Sequence, residues 1–306
     1  MKGVRIHDFG GPEVQRVEEL PMPQEKAGEV LIRVHASSVN PVDYKMRNGG
    51  YLPADRLPLT LGRDIAGVVT RCAADVTAFQ PGDAVYAMLP PDEGAFAESV
   101  AAPASVCARK PERLDFVQAA AVPLAALTAW QGLFTQGSLQ PGQSVLIHGA
   151  AGGVGHFAVQ FAADRGASVI ATCSGEDRDF VKSLGAMTVV DYKNEDFRDA
   201  VQVVDLVFDL VGDETQDRSW SVLKPGGILV STLGQPDPAK AAAHGAMGLG
   251  YMAEPSGPQL AEIARLIDAG AVTPHIDGVF PLEGSAEAEQ RLERDHVRGK
   301  LVLQVY

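Results

Sequence analysis

Cysteine is scarce in this chain. Cys72, Cys107 and Cys173 are the only three, and no CxxC spacing joins them. Neither a disulfide framework nor a structural zinc site is therefore expected. Positive charge is also in short supply, since 26 Lys and Arg face 39 Asp and Glu for a formal net charge of −13. No basic field would steer the chain to nucleic acid or to an anionic membrane, so neither partner is expected. A run of about eighteen apolar residues, the length a spanning helix needs, is missing. The opening residues, MKGVRIH, lack the apolar core of a secretory signal, and the cytoplasm is the expected location. The seven histidines are scattered with no HExxH and no triad spacing. None of them is assigned a role.

What is present points to two domains, because 306 residues exceed the usual single core. The first third is rich in strands and turns. Glu29 to Ser37 (EVLIRVHAS) alternates as a half-buried strand should, and Leu61 to Arg71 and Asp83 to Ala87 are short apolar runs bounded by Gly and Pro. These suggest a barrel-like β domain. The character changes near Leu114. Helices are expected over Asp115 to Val122 and Leu124 to Phe134, followed by SVLIHG, a helix from Gly153 to Arg165, and ASVIATC. A helix over Asp177 to Leu184 and the strands MTVVDY, VDLVFDLV and GGILVSTL come next. Apolar runs alternating with helices indicate a parallel sheet covered on both faces. Gln235 to Gly257 reads as partly irregular and Gln259 to Gly270 as an amphipathic helix. A strand over Asp277 to Leu282, a charged helix over Ser285 to Arg294 and a strand over Lys300 to Val305 complete the pattern.

The strongest local signal is Ala150-Ala151-Gly152-Gly153-Val154-Gly155, directly after SVLIHG and at the start of a helix. Glycines there let the backbone approach a pyrophosphate, and the helix N-terminus offers free N–H groups to it. The strand before and the helix after are what make the pattern specific. About twenty residues on, an acid would recognise a ribose 2′-hydroxyl. This chain has Ser174 there, with Arg178 close behind. A hydroxyl and a planar cation suit a 2′-phosphate, so NADPH is expected over NADH, with Glu176 and Asp177 weighing the other way.

Several segments together resemble the medium-chain dehydrogenase/reductase superfamily, on its zinc-independent quinone and enone oxidoreductase branch. They are Asn40 to Lys45 (NPVDYK), Leu61 to Val68 (LGRDIAGV), Gly94 to Glu98 (GAFAE), Leu127 to Trp130 (LTAW), the AAGGVG turn, Leu184 to Ala186, Asp191-Tyr192, and Gly299 to Val302 (GKLV). The resemblance implies an α/β protein with a GroES-like substrate domain over 1–122, completed by 271–306, and a doubly wound Rossmann domain over 123–270. It also implies a nicotinamide in the cleft between them and a homodimer. Where zinc-dependent relatives hold a catalytic metal, this chain has Asn40 at the cysteine position and Arg63 at the histidine position. The four-cysteine loop is missing as well, and no zinc is expected.

Without a Lewis acid, reduction of a quinone or a conjugated C=C is easier to support than alcohol oxidation. Expected catalytic residues are Lys45 and Tyr51, as donors to the substrate carbonyl, and Asn40, which would also contact the cofactor. Expected cofactor contacts are Asn40, Thr128, Ala151, Gly152, Gly153, Val154, Gly155, Ser174, Arg178, Tyr192, Leu210, Val211, Thr232, Leu233, Arg298 and Lys300. Asp43 reads as a helix cap. Lys45 reads equally as a solvated helix residue, and Tyr51 as a packing lid. The expected function is an NADPH-dependent, zinc-independent oxidoreductase acting on a small-molecule quinone or enone. An enoyl-thioester reductase and a non-catalytic NADPH-binding sensor or structural protein are the alternatives.

Overall fold

The computed structural model describes residues 1–306. The chain begins with β1 (Lys2–Ile6), β2 (Arg16–Glu19), β3 (Glu29–Val39) and α1 (Pro41–Arg47). It continues through β4 (Leu59–Thr60), β5 (Asp64–Cys72), β6 (Ala84–Met88), β7 (Ser99–Pro103) and β8 (Cys107–Arg109). Helices α2 (Phe116–Ala120) and α3 (Pro123–Trp130) follow, then β9 (Ser144–Ile147), α4 (Gly155–Asp164), β10 (Ser168–Cys173) and α5 (Arg178–Ser183). Next come β11 (Thr188–Asp191), α6 (Phe197–Ala200), β12 (Val204–Asp209), α7 (Asp213–Ser219), β13 (Leu223–Ser231), α8 (Pro238–Ala243) and β14 (Met247–Gly250). The last elements are α9 (Gly257–Asp268), β15 (Ile276–Pro281), α10 (Ser285–Arg294) and β16 (Lys300–Gln304). No helix is long and apolar enough to cross a membrane.

Two compact units result, one formed by Met1–Leu127 with Glu254–Tyr306 and the other by Thr128–Ala253. In the first, a seven-stranded sheet runs β15-β16-β3-β5-β6-β8 with β7 also paired to β3, and a small sheet runs β2-β1-β4. The alternation expected of β3 holds from Ile32 to Ala36, with Arg33 exposed and His35 half-buried between buried neighbours, and gives way at the strand's end, where Ala36, Ser37, Ser38 and Val39 are all buried. α2 and α10 both pack on this strand, and His35 stacks on Phe116 of α2 at 4.2 Å. β16 closes the sheet by pairing antiparallel with β3, Leu301 opposite Val39 and Gln304 opposite Ala36.

The second unit is one parallel sheet in the order β11-β10-β9-β12-β13-β14. Its central strands are continuous apolar runs. Val145, Leu146 and Ile147 on β9 and Val207 and Phe208 on β12 have no exposed surface, as a sheet covered on both faces requires. Strand order reverses between β9 and β12, so the crevice beyond their carboxyl ends is where this architecture takes its ligand.

Two stretches take a form that periodicity alone did not specify. The return to the first unit comes at Glu254 and not at Ala271. Periodicity marked the amphipathic helix without saying which core its apolar face covers, and the Tyr86 hydroxyl in fact donates to the Leu260 carbonyl of α9 at 2.6 Å. The stretch read as partly irregular holds α8 and β14. Asp237 caps α8 by accepting from the Ala239 N–H at 2.8 Å, with Pro238 at the first helical position. β14, of sequence MGLG, has little intrinsic strand preference and forms through its ladder with β13.

Candidate functional site

The glycine turn lies where the sequence puts it, between β9 and α4. Gly155 begins α4, and a Cβ there would fall 2.2 Å from the Gly149 carbonyl oxygen and 2.7 Å from the Ala150 Cα. Only glycine allows that packing. The His156 N–H donates back to the Gly152 carbonyl at 3.0 Å, whereas the N–H groups of Gly153, Val154 and Gly155 have no backbone acceptor, which makes the turn an anion site. Ala151 is buried and Gly152, Gly153 and Val154 are half-buried, so the turn's backbone is accessible along that edge. Beneath it His148 is fully buried between the Thr172 hydroxyl (3.0 Å) and the Ser219 hydroxyl (2.9 Å). Burial holds its pKa down at about 4, and the ring is neutral.

Next to this turn, the groups expected to meet a 2′-phosphate are engaged with carboxylates. Ser174 is buried and its hydroxyl donates to Asp177 at 2.9 Å. Arg178 pairs with Glu195. Tyr192, by contrast, is 60% exposed just past β11. Lys193, which the sequence reading missed, stands next to it with its ammonium 3.6 Å from Glu176. Thr128 is buried, and its carbonyl accepts from the Tyr251 hydroxyl.

At the far strand ends, Leu210 and Thr232 are half-buried while Val211 and Leu233 are each 47% exposed. Val211, Gly212, Leu233 and Gly234 line a cavity of about 490 Å³ together with Gln216 and Gln235. Asp209, also missed, orders these loops from below. Its Oδ1 accepts from the Val211 N–H (3.0 Å) and the Gly212 N–H (2.8 Å). Its Oδ2 accepts from Gln216 (2.8 Å) and from the Ser231 hydroxyl (3.0 Å). Gly212 takes φ +81° to make the turn, a conformation that glycine adopts without strain.

In the first unit, Asn40, Asp64 and Lys300 form one buried group. The Asn40 amide nitrogen donates to Asp64 Oδ2 at 2.8 Å and to the Ser38 carbonyl at 3.3 Å. Its oxygen accepts from Lys300 Nζ, which also donates to the Val39 carbonyl at 2.9 Å. Asp64 further accepts from Ser38 (2.7 Å) and from the Leu124 N–H (2.7 Å). Burial pushes the Asp64 carboxyl up and the Lys300 ammonium down, against their mutual attraction. Asn40 and Lys300 were read as cofactor contacts, but both are almost wholly buried, with every polar atom of the Asn40 side chain engaged internally. The cap of α1 is Asn40, and Asp43, at the third helical position, completes a capping box by accepting from the Asn40 N–H at 2.7 Å.

These residues do not fit a zinc ion. An engaged amide is a poor substitute for thiolate. Arg63, bonded to the Leu89 carbonyl at 2.7 Å, and Lys300 place two cations beside the carboxylate, and nowhere do three or more His, Cys, Asp or Glu side chains converge. Lys45 is half-buried with no ion-pair or hydrogen-bond partner for its ammonium. Its carbonyl accepts from the Gly50 N–H at 2.8 Å, and that contact sets the turn leading to Tyr51, which is 45% exposed. Arg298 is half-buried in the segment before β16.

Residues 26–112 match the alcohol dehydrogenase GroES-like domain family, and residues 184–303 match the family described as zinc-binding dehydrogenase. The mitochondrial NAD(P)H oxidoreductase RTN4IP1 of Mus musculus is 38% identical over 90% of this chain and 82% of its own. The chloroplastic NADPH-dependent alkenal/one oxidoreductase of Arabidopsis thaliana is 36% identical over 99% of this chain and 79% of its own. Among solved structures, the quinone oxidoreductase from Coxiella burnetii superimposes with a TM-score of 0.91 at 36% identity, covering 100% of this chain and 99% of that one. With a nicotinamide-type glycine turn at the switch point of its sheet and a GroES-like unit beside it in sequence, the chain belongs to the medium-chain dehydrogenase/reductase superfamily, on its quinone oxidoreductase branch.

Proposed function

We propose that this chain is an NADPH-dependent, zinc-independent reductase of quinones or α,β-unsaturated carbonyls. The observation that carries the reading is the buried Asn40–Asp64–Lys300 group, a protein-only ion cluster at the place where zinc relatives bind their metal. Charge developing on a substrate oxygen must then be met by a hydrogen-bond donor, worth about 3 kcal/mol when well placed. Lys45 is the cation of α1 left without an internal partner, and the Tyr51 hydroxyl follows it across the turn. Bound reduced nicotinamide supplies a hydride to the electrophilic carbon of the acceptor. Lys45 or Tyr51 stabilises the resulting enolate or hydroquinone oxyanion, and a proton from water completes the reduction.

The residues of the second unit fit the cofactor. The α4 N-terminus and the glycine turn would hold the pyrophosphate, and Arg178, Tyr192 and Lys193 would surround a 2′-phosphate. A phosphate dianion outcompetes the single carboxylate of Glu195 for the Arg178 guanidinium. The name of the Arabidopsis relative supports the same choice. The reading extends to a homodimer, supported by β14, an edge strand with one side of its ladder unpaired and Met247 exposed.

The test follows the absorbance of NADPH, and separately of NADH, with 1,4-quinones and short enones, with and without a chelator. Chelator-resistant turnover preferring NADPH is expected. Loss of turnover on chelation would overturn the zinc-free reading, and binding without turnover on any acceptor would overturn the enzymatic one.

A further inference from the structure

Asp209 has no exposed surface and sits at the end of a strand that is otherwise apolar. One of its oxygens takes both N–H groups of the next loop, from Val211 and Gly212. The other takes the Ser231 hydroxyl, and Ser231 Oγ in turn accepts from the Leu233 N–H at 3.1 Å. A single carboxylate thus fixes two neighbouring strand-end loops, one directly and one through a hydroxyl. A trans peptide points its N–H and C=O in opposite directions. Drawing the Val211 and Gly212 N–H groups inward therefore turns the Leu210 and Val211 carbonyls away from the carboxylate. Neither carbonyl accepts a hydrogen bond within the protein.

We infer that Asp209 is a positioning residue, acting directly and through Ser231 to present outward-facing carbonyls and the Leu233 loop to a primary carboxamide on the ligand in this cavity. A carboxamide NH₂ brings two donors to such acceptors. The inference rests on the nicotinamide reading of the site and adds which buried group sets the ring's orientation. Asp209 touches no ligand itself. Asp209→Asn discriminates within the relay. An Asn oxygen still accepts the Val211 and Gly212 N–H groups, while its NH₂ takes the place of the oxygen to which the Ser231 hydroxyl donates, so chiefly the Leu233 side is disturbed; Gln216 can turn its amide to accept from it. Ser231→Ala cuts the same side from the other end and is the milder change.

The experiment compares two probes on the full chain: NADPH, and adenosine 2′,5′-bisphosphate, which shares the adenine end and has no nicotinamide. In Asp209→Asn the dissociation constant for NADPH rises roughly tenfold, the scale of one hydrogen bond to a charged group, in Ser231→Ala it rises by a smaller factor, and that for the bisphosphate changes in neither. Hydride transfer from NADPH deuterated on one face of C4 also loses facial selectivity. If both probes weaken by the same factor, or neither does, the inference is overturned and the relay only supports the fold. If the unsubstituted chain fails to bind NADPH, the functional reading falls and this inference with it, a result distinct from normal binding by the variants.

Discussion

Each unit buries carboxylates completely and compensates differently. In the first, Asp43, Asp64 and Glu289 share the interior with Arg47 and Lys300. Arg47 Nε donates to Glu289 Oε2 at 2.7 Å with neither side chain exposed, yet Asp43 Oδ1, Glu289 Oε1 and one Arg47 nitrogen have no hydrogen-bond partner. In the second unit Asp209 is equally buried, but four neutral donors satisfy it. The charged cluster joins segments distant in the chain, residue 47 to 289 and 40 to 300, whereas the neutral relay spans only 209 to 233. Charge pairing is used to join segments distant in the chain, and neutral donors are used to shape a loop.

Removing a member of the charged cluster is the strongest way to break this contrast. Lys300→Met leaves the buried Asp64 and Asp43 without the Lys300 ammonium and is expected to cost about 3–5 kcal/mol in urea unfolding, with partial recovery in Lys300→Arg. A loss below about 1 kcal/mol would make the cluster dispensable. In the second unit, Gly155→Ala forces a Cβ against the Gly149 carbonyl. It should destabilise by roughly 1–3 kcal/mol and abolish NADPH binding in a fluorescence titration. A variant that still binds would remove the turn from the site.

Acidity separates the units more finely. Burial pushes Glu289 up to about 7 in spite of Arg47, and raises Asp43 as well, with Glu289 adding like-charge repulsion. Unfolded carboxylates release protons near pH 4–4.5, so the folded chain holds more protons between about pH 4.5 and 7. The stability these groups contribute is present at low pH and lost as pH rises through that window. His148, held at about 4, works in the opposite sense. Its contribution is complete above the unfolded value near 6.5 and is lost as pH falls toward 4. Glu289→Gln should therefore make the stability-against-pH slope between 5 and 7 more positive, and His148→Gln should make it less positive. Equal slopes in the two variants would erase the distinction. The smallest effect is expected at Tyr51, whose exposure limits Tyr51→Phe to within about 0.5 kcal/mol of stability. Lys45→Gln should lower kcat/KM with the enone by about tenfold or more, and unchanged kinetics in both variants would move the donor elsewhere.

The sequence was most legible where chemistry is local. The glycine turn, the strand before it and α10 over Ser285–Arg294 were found because periodicity and backbone demands act over a few residues. The burial of Asn40 and Lys300 was not legible, because it depends on a contact across some 260 residues. Ser174 was read as a free hydroxyl, and only the fold turns Asp177 under it. Asp209 left a usable signal, an acid ending an apolar strand just before Leu-Val-Gly, which is the pattern of a side chain bonding its own turn.

The pairing of β16 with β3 has a consequence for how the chain is made. A ribosome releases β3 long before Lys300–Gln304 exists, so the first unit's main sheet waits with one ladder of β3 unpaired. The second unit is contiguous from Thr128 to Ala253, and all its strands are available as soon as that stretch has emerged. Synthesis order thus favours the nucleotide-binding sheet closing first, while the earlier-made strands remain the segment most in need of protection from aggregation.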